Sequence, residues 1–194
     1  MKRICVFCGS KKGDGAEYAR SARRLGELLA ERKLGLVFGG GHIGLMGVLA
    51  DAVLQAGCEA IGVIPQALVD KELAHSGLSQ LHVVASMHER KAVMADLSDA
   101  FIALPGGFGT ADELFEILTW SQLGLHSKPI GLLNVSGFFD PLLAWLDRTV
   151  QEGFLKAKHR RLLLVADDPE RLLDLLAGHR RARTTEKWID DVER

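Results

Sequence analysis

Short runs of apolar residues, mostly β-branched or aromatic, recur along the chain, the first five running into glycine, proline or serine, with amphipathic stretches of helical length between them. The runs cover residues 4–7, 34–38, 60–64, 81–84, 101–104, 130–133 and 162–165. Unbroken rather than alternating hydrophobicity marks strands buried on both faces, which is the pattern of a parallel sheet. Residues 16–32, 45–55, 90–97, 111–123, 139–151 and 169–176 carry the apolar spacing of helices that pack by one side. Strand and helix alternate, so the pattern predicts βαβ units: a single-domain, Rossmann-like α/β fold with a mostly parallel sheet and helices on both faces. Residues 1–177 are read as this domain, without an internal linker or repeat. Residues 178–194 are read as a polar C-terminal tail carrying Trp188, which frays or docks on a neighbour.

In such a sheet every strand-to-helix loop emerges at the carboxyl edge, where ligands bind. The loops Gly9-Ser10-Lys11-Lys12-Gly13, Gly39-Gly40-Gly41-His42-Ile43-Gly44, Ser86-Met87-His88-Glu89-Arg90-Lys91 and Pro105-Gly106-Gly107-Phe108-Gly109-Thr110 therefore gather on one rim. The site is expected there.

Composition narrows the function. The 194 residues suit one domain with a sizeable core, at 47% hydrophobic and 25% charged. With 24 Lys and Arg against 25 Asp and Glu, the net charge of -1 argues against binding nucleic acid by bulk charge and against a polybasic membrane anchor. No apolar run approaches the ~18 residues that span a bilayer. The segment after Met1-Lys2-Arg3 reads as a first strand rather than a leader. Cys5, Cys8 and Cys58 are too few for a disulfide scaffold, so the expected setting is the reducing cytoplasm.

Gly39, Gly41 and Gly44 match G-x-G-x-x-G, but after the second strand, and Ile64-Pro65 stand where a ribose-binding acid would be needed. Dinucleotide binding is disfavoured; tight helix–strand packing and a phosphate contact both remain open. No P-loop pattern occurs. Cys5-Val6-Phe7-Cys8 has redox spacing but lies in or beside a strand, so buried structural thiols are expected. His42, His75, His82, His88 and His126 show no ligand spacing, and no metal is expected.

Two loops carry most of the signal. Ser86-x-x-Glu89 and Thr110-x-x-Glu113 both fit a capping box, which alone would account for either glutamate. It does not account for Arg90 and Lys91 in the first turn of their helix, where cations oppose the helix dipole. A bound anion would reverse that cost; otherwise both side chains point to solvent. Pro105-Gly106-Gly107-Phe108-Gly109-Thr110 offers backbone amides at a second helix start, and the two together make a phosphate site. Asp112 and Glu113 stand one turn inside it, placed to act on whatever carries the phosphate.

The pairing of Ser86-Met87-His88-Glu89-Arg90-Lys91-Ala92 with Pro105-Gly106-Gly107-Phe108-Gly109-Thr110-Ala111-Asp112-Glu113 resembles the Lonely-guy (LOG) family, and the likeness extends through Cys8-Gly9-Ser10, residues 39–47 and Trp120-x-x-Leu123-Gly124 to about Val165. That family hydrolyses cytokinin riboside 5′-monophosphates to free base and ribose 5-phosphate, and its members often carry a label as lysine decarboxylases. The resemblance implies a catalytic pair, Arg90 and Glu113. It implies substrate contacts at Glu72, Arg90, Lys91, Gly107, Phe108, Gly109, Thr110, Ala111, Asp112, Glu113 and Thr119, with no organic cofactor. A homodimer or higher homo-oligomer is implied too, neighbouring helices completing the site. Asp112 departs from the family, which usually has Glu, and this leaves the preferred base open.

Glu113 is expected to stabilise the oxocarbenium-like charge at C1′ and to orient or deprotonate water. Arg90, too weak an acid to give up a proton, is expected to grip the phosphate or ribose. The proton for the leaving base would come from water, or through Glu72 or Asp112. Three readings compete: a non-catalytic nucleotide-sensing or carrier module of the same fold, a pyridoxal-phosphate decarboxylase with Lys91 as Schiff base, and a general nucleoside-monophosphate hydrolase.

Overall fold

The apolar runs become seven strands in the computed structural model, which describes residues 1–71 and 73–179. They are β1 (Arg3–Phe7), β2 (Gly35–Phe38), β3 (Ala60–Pro65), β4 (Gln80–Val84), β5 (Ala100–Ala103), β6 (Ile130–Leu133) and β7 (Leu163–Ala166). The helices are α1 (Ala16–Glu31), α2 (Gly44–Gln55), α3 (Gln66–Val69), α4 (Met87–Asp96), α5 (Phe108–Gln122), α6 (Asp140–Gln151), α7 (Ala157–Arg160) and α8 (Pro169–Gly178). Glu72, most of the C-terminal tail and Trp188 lie outside the described residues.

All strand pairs are parallel, in the order β4-β3-β2-β1-β5-β6-β7. The chain begins in the middle of the sheet, moves outward to β4, then returns to pair β5 with the free side of β1, Ile4 facing Ala100 in register. The loops that leave β1 and β5 diverge at this reversal, and the crevice between them is where a sheet of this kind takes its ligand.

Side-chain alternation along buried strands makes two cores. Ile4, Val6, Leu36, Phe38 and Ile102 pack with Leu25 and Leu29 of α1, Leu49 and Val53 of α2, and Leu172 of α8. Cys5, Phe7, Val37, Val63 and Phe101 face the other way, against Met94 of α4, Leu114 and Ile117 of α5, and Leu146 of α6. Both faces are covered, as the unbroken hydrophobic runs require. No helix among the described residues is long and apolar enough to cross a membrane.

The elements follow the predicted pattern, with one difference that matters. Helices α4 and α5 each begin three residues earlier than expected, at Met87 and Phe108. The periodic apolar residues that mark a helix appear only after its first turn, so its polar or glycine-rich beginning reads as loop. The short helices α3 and α7 lack the length to show a period at all.

Candidate active site

Three loops are stitched backbone to backbone at the crevice. Gly9 N donates to Pro105 O at 3.0 Å, Leu45 N donates to Gly9 O at 3.0 Å, and Leu104 N donates to Phe7 O at 2.9 Å. Gly44 has φ +63, and a Cβ there would collide with the backbone of Ser10. Close packing is therefore what the G-x-G-x-x-G segment does at its last glycine. Its first glycine does something else: a Cβ on Gly39 would fall on the Arg90 guanidinium.

At α4 the capping reading holds for its first half. Ser86 Oγ accepts from Glu89 N at 3.1 Å, while the Glu89 carboxylate reaches past the cap to accept from Ala85 N at 2.8 Å. At α5 it fails. Gly107 is the N-cap and Thr110 is already the third helical residue, buried beneath Gly106. Capping therefore cannot explain Glu113. No side-chain acceptor caps the start of α5, and Gly107 and Gly109 face open space. The first amides of this helix are presented to the crevice unopposed, as an anion site requires.

Arg90 and Lys91 both turn inward, contrary to the solvent-pointing alternative. Arg90 Nε donates to Val63 O at 3.0 Å, and its Nη1 lies 3.3 Å from Glu113 Oε1, the two side chains being 11% and 8% exposed. The Lys91 ammonium sits between Asp112 Oδ2 at 3.1 Å and Glu116 Oε1 at 3.0 Å. Adjacent cations on α4 thus meet acids on one flank of α5. Burial pushes the Glu113 carboxyl up to about 7 against the lowering pull of Arg90. For Lys91, burial opposes the charge, yet the hydrogen bonds it donates to Glu116 and Asp112 outweigh it and hold its pKa above the ordinary lysine value. Burial also drives the Cys5 and Cys8 thiols well up, which leaves them protonated and unreactive.

These positions test the decarboxylase reading chemically. A Schiff-base lysine must present a neutral amine, and one held as ammonium by two carboxylates does not. The residues do not fit pyridoxal phosphate.

Other expected site residues are placed as follows. Phe108 projects into solvent, 97% exposed, beside the exposed Gly107 and Gly109, with Ala111 half-buried behind them. Thr119 lies apart, about 9 Å further along α5 than Glu113. Its hydroxyl donates to Phe115 O at 2.7 Å, and it borders an apolar cavity of about 450 Å³ with Phe115, Leu118, Trp145, Leu146 and Phe154. The segment flanking Glu72 is tied to the Gly39–Gly41 loop through a bridge between Gly41 and Ala74. Leu73 O accepts from both His42 N and His42 Nδ1, and His75 Nε2 lies 3.1 Å from Asp51 Oδ1. No group of three or more His, Cys, Asp or Glu suited to a metal gathers among the described residues.

Three contributors were not anticipated: the Val63 carbonyl, the missing side chain of Gly39, and Glu116. Gly39 left a signal as the first glycine of G-x-G-x-x-G, and Glu116 left one too, since it stands four residues after Asp112 and three after Glu113, on the same side of a helix.

Residues 46–176 match the protein family described as possible lysine decarboxylase. Among curated proteins, the chain is 51% identical over 173 residues to the cytokinin riboside 5′-monophosphate phosphoribohydrolase LOG of Oryza sativa subsp. japonica, covering 89% of this chain and 72% of that one. It is 48% identical over 176 residues to the cytokinin riboside 5′-monophosphate phosphoribohydrolase LOG2 of Arabidopsis thaliana, covering 91% and 83%. Among solved structures, the molybdenum cofactor binding protein of Rippkaea orientalis shares the fold at a TM-score of 0.69 and 22% identity, covering 91% of this chain and 96% of that one.

Proposed function

The chain belongs to the LOG family of cytokinin riboside 5′-monophosphate phosphoribohydrolases, and we propose that it hydrolyses the N-glycosidic bond of such nucleotides, and of AMP, releasing free base and ribose 5-phosphate. The observation that carries this reading is the buried Arg90–Glu113 pair beside the uncapped start of α5. A binding module needs the amides and the cation. It has no use for a carboxylate buried beside them.

The phosphate is read as resting on the amides of Gly107, Phe108 and Gly109, with Thr110 and Ala111 continuing the turn and the helix dipole favouring its charge. That contact is remote from the broken bond, so its binding energy serves to hold C1′ near Glu113. Arg90 grips the phosphate or ribose, and its bond to Val63 O fixes the direction from which it does so. The Glu113 carboxylate stabilises positive charge growing at C1′ and takes a proton from the attacking water, while the nitrogen of the departing base takes its proton from solvent water or through Glu72 or Asp112. A carboxyl raised to about 7 suits a base that must both take up and release that proton near neutral pH. Asp112, Lys91 and Glu72 remain assigned to substrate contact, Asp112 from the exposed edge of α5.

The working form is read as a homodimer or larger homo-oligomer. Trp145 and Phe154, 55% and 88% exposed, border the groove that Thr119 shares, and a second copy seated there would bring Thr119 toward a substrate. The buried, unpaired Cys5 and Cys8 suit a cytosolic setting.

The test is product release. Purified protein is incubated separately with AMP, isopentenyladenosine 5′-monophosphate and isopentenyladenosine, with Glu113→Gln as control, and free base is quantified by chromatography. Base from the monophosphates but not the nucleoside is the expected result, and the ratio of the two rates reports the preferred base. A folded protein that binds nucleotide and releases none would instead be a carrier or sensor.

A further inference from the structure

The α4–α5 contact holds two cations, Arg90 and Lys91, against three acids, Asp112, Glu113 and Glu116. Without Glu116 the charges would match, Arg90 with Glu113 and Lys91 with Asp112. With it, the cluster is one acid in excess. Glu116 is also costly to keep: one oxygen holds Lys91, while Oε2 is buried and has no hydrogen-bond partner. Packing does not call for a carboxylate in that position, and an apolar side chain of similar size would avoid the orphaned oxygen.

We propose that Glu116 is a positioning residue for the hydrolysis, engaging Lys91 so that this charge is shared with Asp112 and the ion-pair contact of Glu113 is made by Arg90. The inference rests on the proposed phosphoribohydrolase reading and adds to it a residue that touches neither substrate nor the reacting bond. Two cations free to act on Glu113 would make it a weak base, fully ionised and reluctant to accept a proton from water. With Lys91 occupied, the surplus negative charge settles on the most buried of the three acids. The groups that face Glu113 are Arg90 and Lys91 from α4, Asp112 and Glu116 from α5, and the thiols of Cys5 and Cys8 from β1 and its end. The thiols stay neutral, so the balance is set by the four charged side chains. Among these, Glu116 acts on Glu113 at a distance, and so can be changed without cutting the Arg90–Glu113 contact.

The experiment compares wild type with Glu116→Gln and Glu116→Asp in the full chain, following kcat and KM on isopentenyladenosine 5′-monophosphate from pH 5 to 9, with thermal unfolding alongside. Glutamine can still accept from Lys91 but carries no charge. The expected result is a downward shift of the acid limb of the kcat/KM profile by half a pH unit or more. The plateau kcat is expected to fall several-fold and KM to stay nearly constant, with Glu116→Asp restoring the wild-type limb. A glutamine variant that melts lower but keeps the wild-type pH profile overturns the proposal and leaves Glu116 a structural residue. Absence of base release from wild-type protein would overturn the hydrolase reading itself, and is seen before any variant is compared.

Discussion

Arg90 occupies the space that a side chain on Gly39 would need, so the end of β2 is shaped around a guanidinium carried by α4. The glycine that looked like part of a nucleotide fingerprint is the seat of a cation. Gly39→Ala would push that guanidinium off Val63 O and away from Glu113. Because small displacements of an aligned group cost up to about a hundredfold, kcat/KM on the monophosphate is expected to drop roughly 10- to 100-fold. Steady-state assays check this, with circular dichroism confirming that the sheet is intact.

Replacing Glu113 by Gln keeps the shape of the side chain and removes the proposed base. A drop in kcat of about 10²- to 10⁴-fold is expected, the range of a general acid–base contribution, while nucleotide binding measured by calorimetry persists. Near-normal turnover would remove Glu113 from the mechanism. Arg90→Ala is expected to lose activity and raise KM on monophosphates; unchanged kinetics would contradict a role in gripping the phosphate or ribose.

The proton on Glu113 also couples activity to stability. With the carboxylate as the proposed working form, kcat/KM should climb with pH through about 7 and level above it. Stability runs the other way. The folded state holds this proton more tightly than the unfolded chain, so the contribution is complete below the ordinary carboxyl pKa and is lost as pH rises through 7. It amounts to about 3 kcal/mol. Thermal unfolding of wild type and Glu113→Gln, compared at pH 4 and pH 8, should show the wild type losing ground to the variant at the higher pH.

Much of this architecture was legible because parallel strands buried on both faces must be apolar throughout, as Ile4-Cys5-Val6-Phe7 and Phe101-Ile102-Ala103 are. The rim followed from topology alone. What the pattern hid was direction. Arg90 and Lys91 read equally well as solvent-facing cations, because nothing local says that Val63 O, Gly39 and a flank of acids on α5 lie across from them. Thr110 looked like a cap because Thr-x-x-Glu fits the pattern, but Gly107 opens the helix three residues sooner and leaves Thr110 packed inside it.

Lys91 supplies a test of the decarboxylase label. Its ammonium is shared by two carboxylates and its side chain is 9% exposed, so added pyridoxal phosphate should give no Schiff-base absorption and nothing for borohydride to trap. Lys91→Met should instead leave Asp112 and Glu116 facing each other at helical i,i+4 spacing, with the charge of Glu116 uncompensated. Removing one partner of a buried pair costs about 3–5 kcal/mol, and the exposure of Asp112 puts the expected loss at the lower end. A clear fall in the unfolding midpoint, without any cofactor effect, is the predicted outcome.

The proposed assembly can be tested at the apolar groove beside Thr119. Trp145 meets Phe115 edge-on, their ring centroids 5.9 Å apart, yet more than half of Trp145 is exposed and Phe154 is almost wholly so. Apolar aromatic surface left in water at that density is costly, and covering it with the same face of another copy removes the cost on both sides. Trp145→Glu places a charge where such a contact would close. Light scattering is expected to show dimers or larger assemblies for wild type and monomers for the variant. If Thr119 reaches substrate only across that contact, the variant should lose activity with its Arg90–Glu113 pair intact. A variant that is monomeric and fully active would confine the site to one chain and remove Thr119 from it.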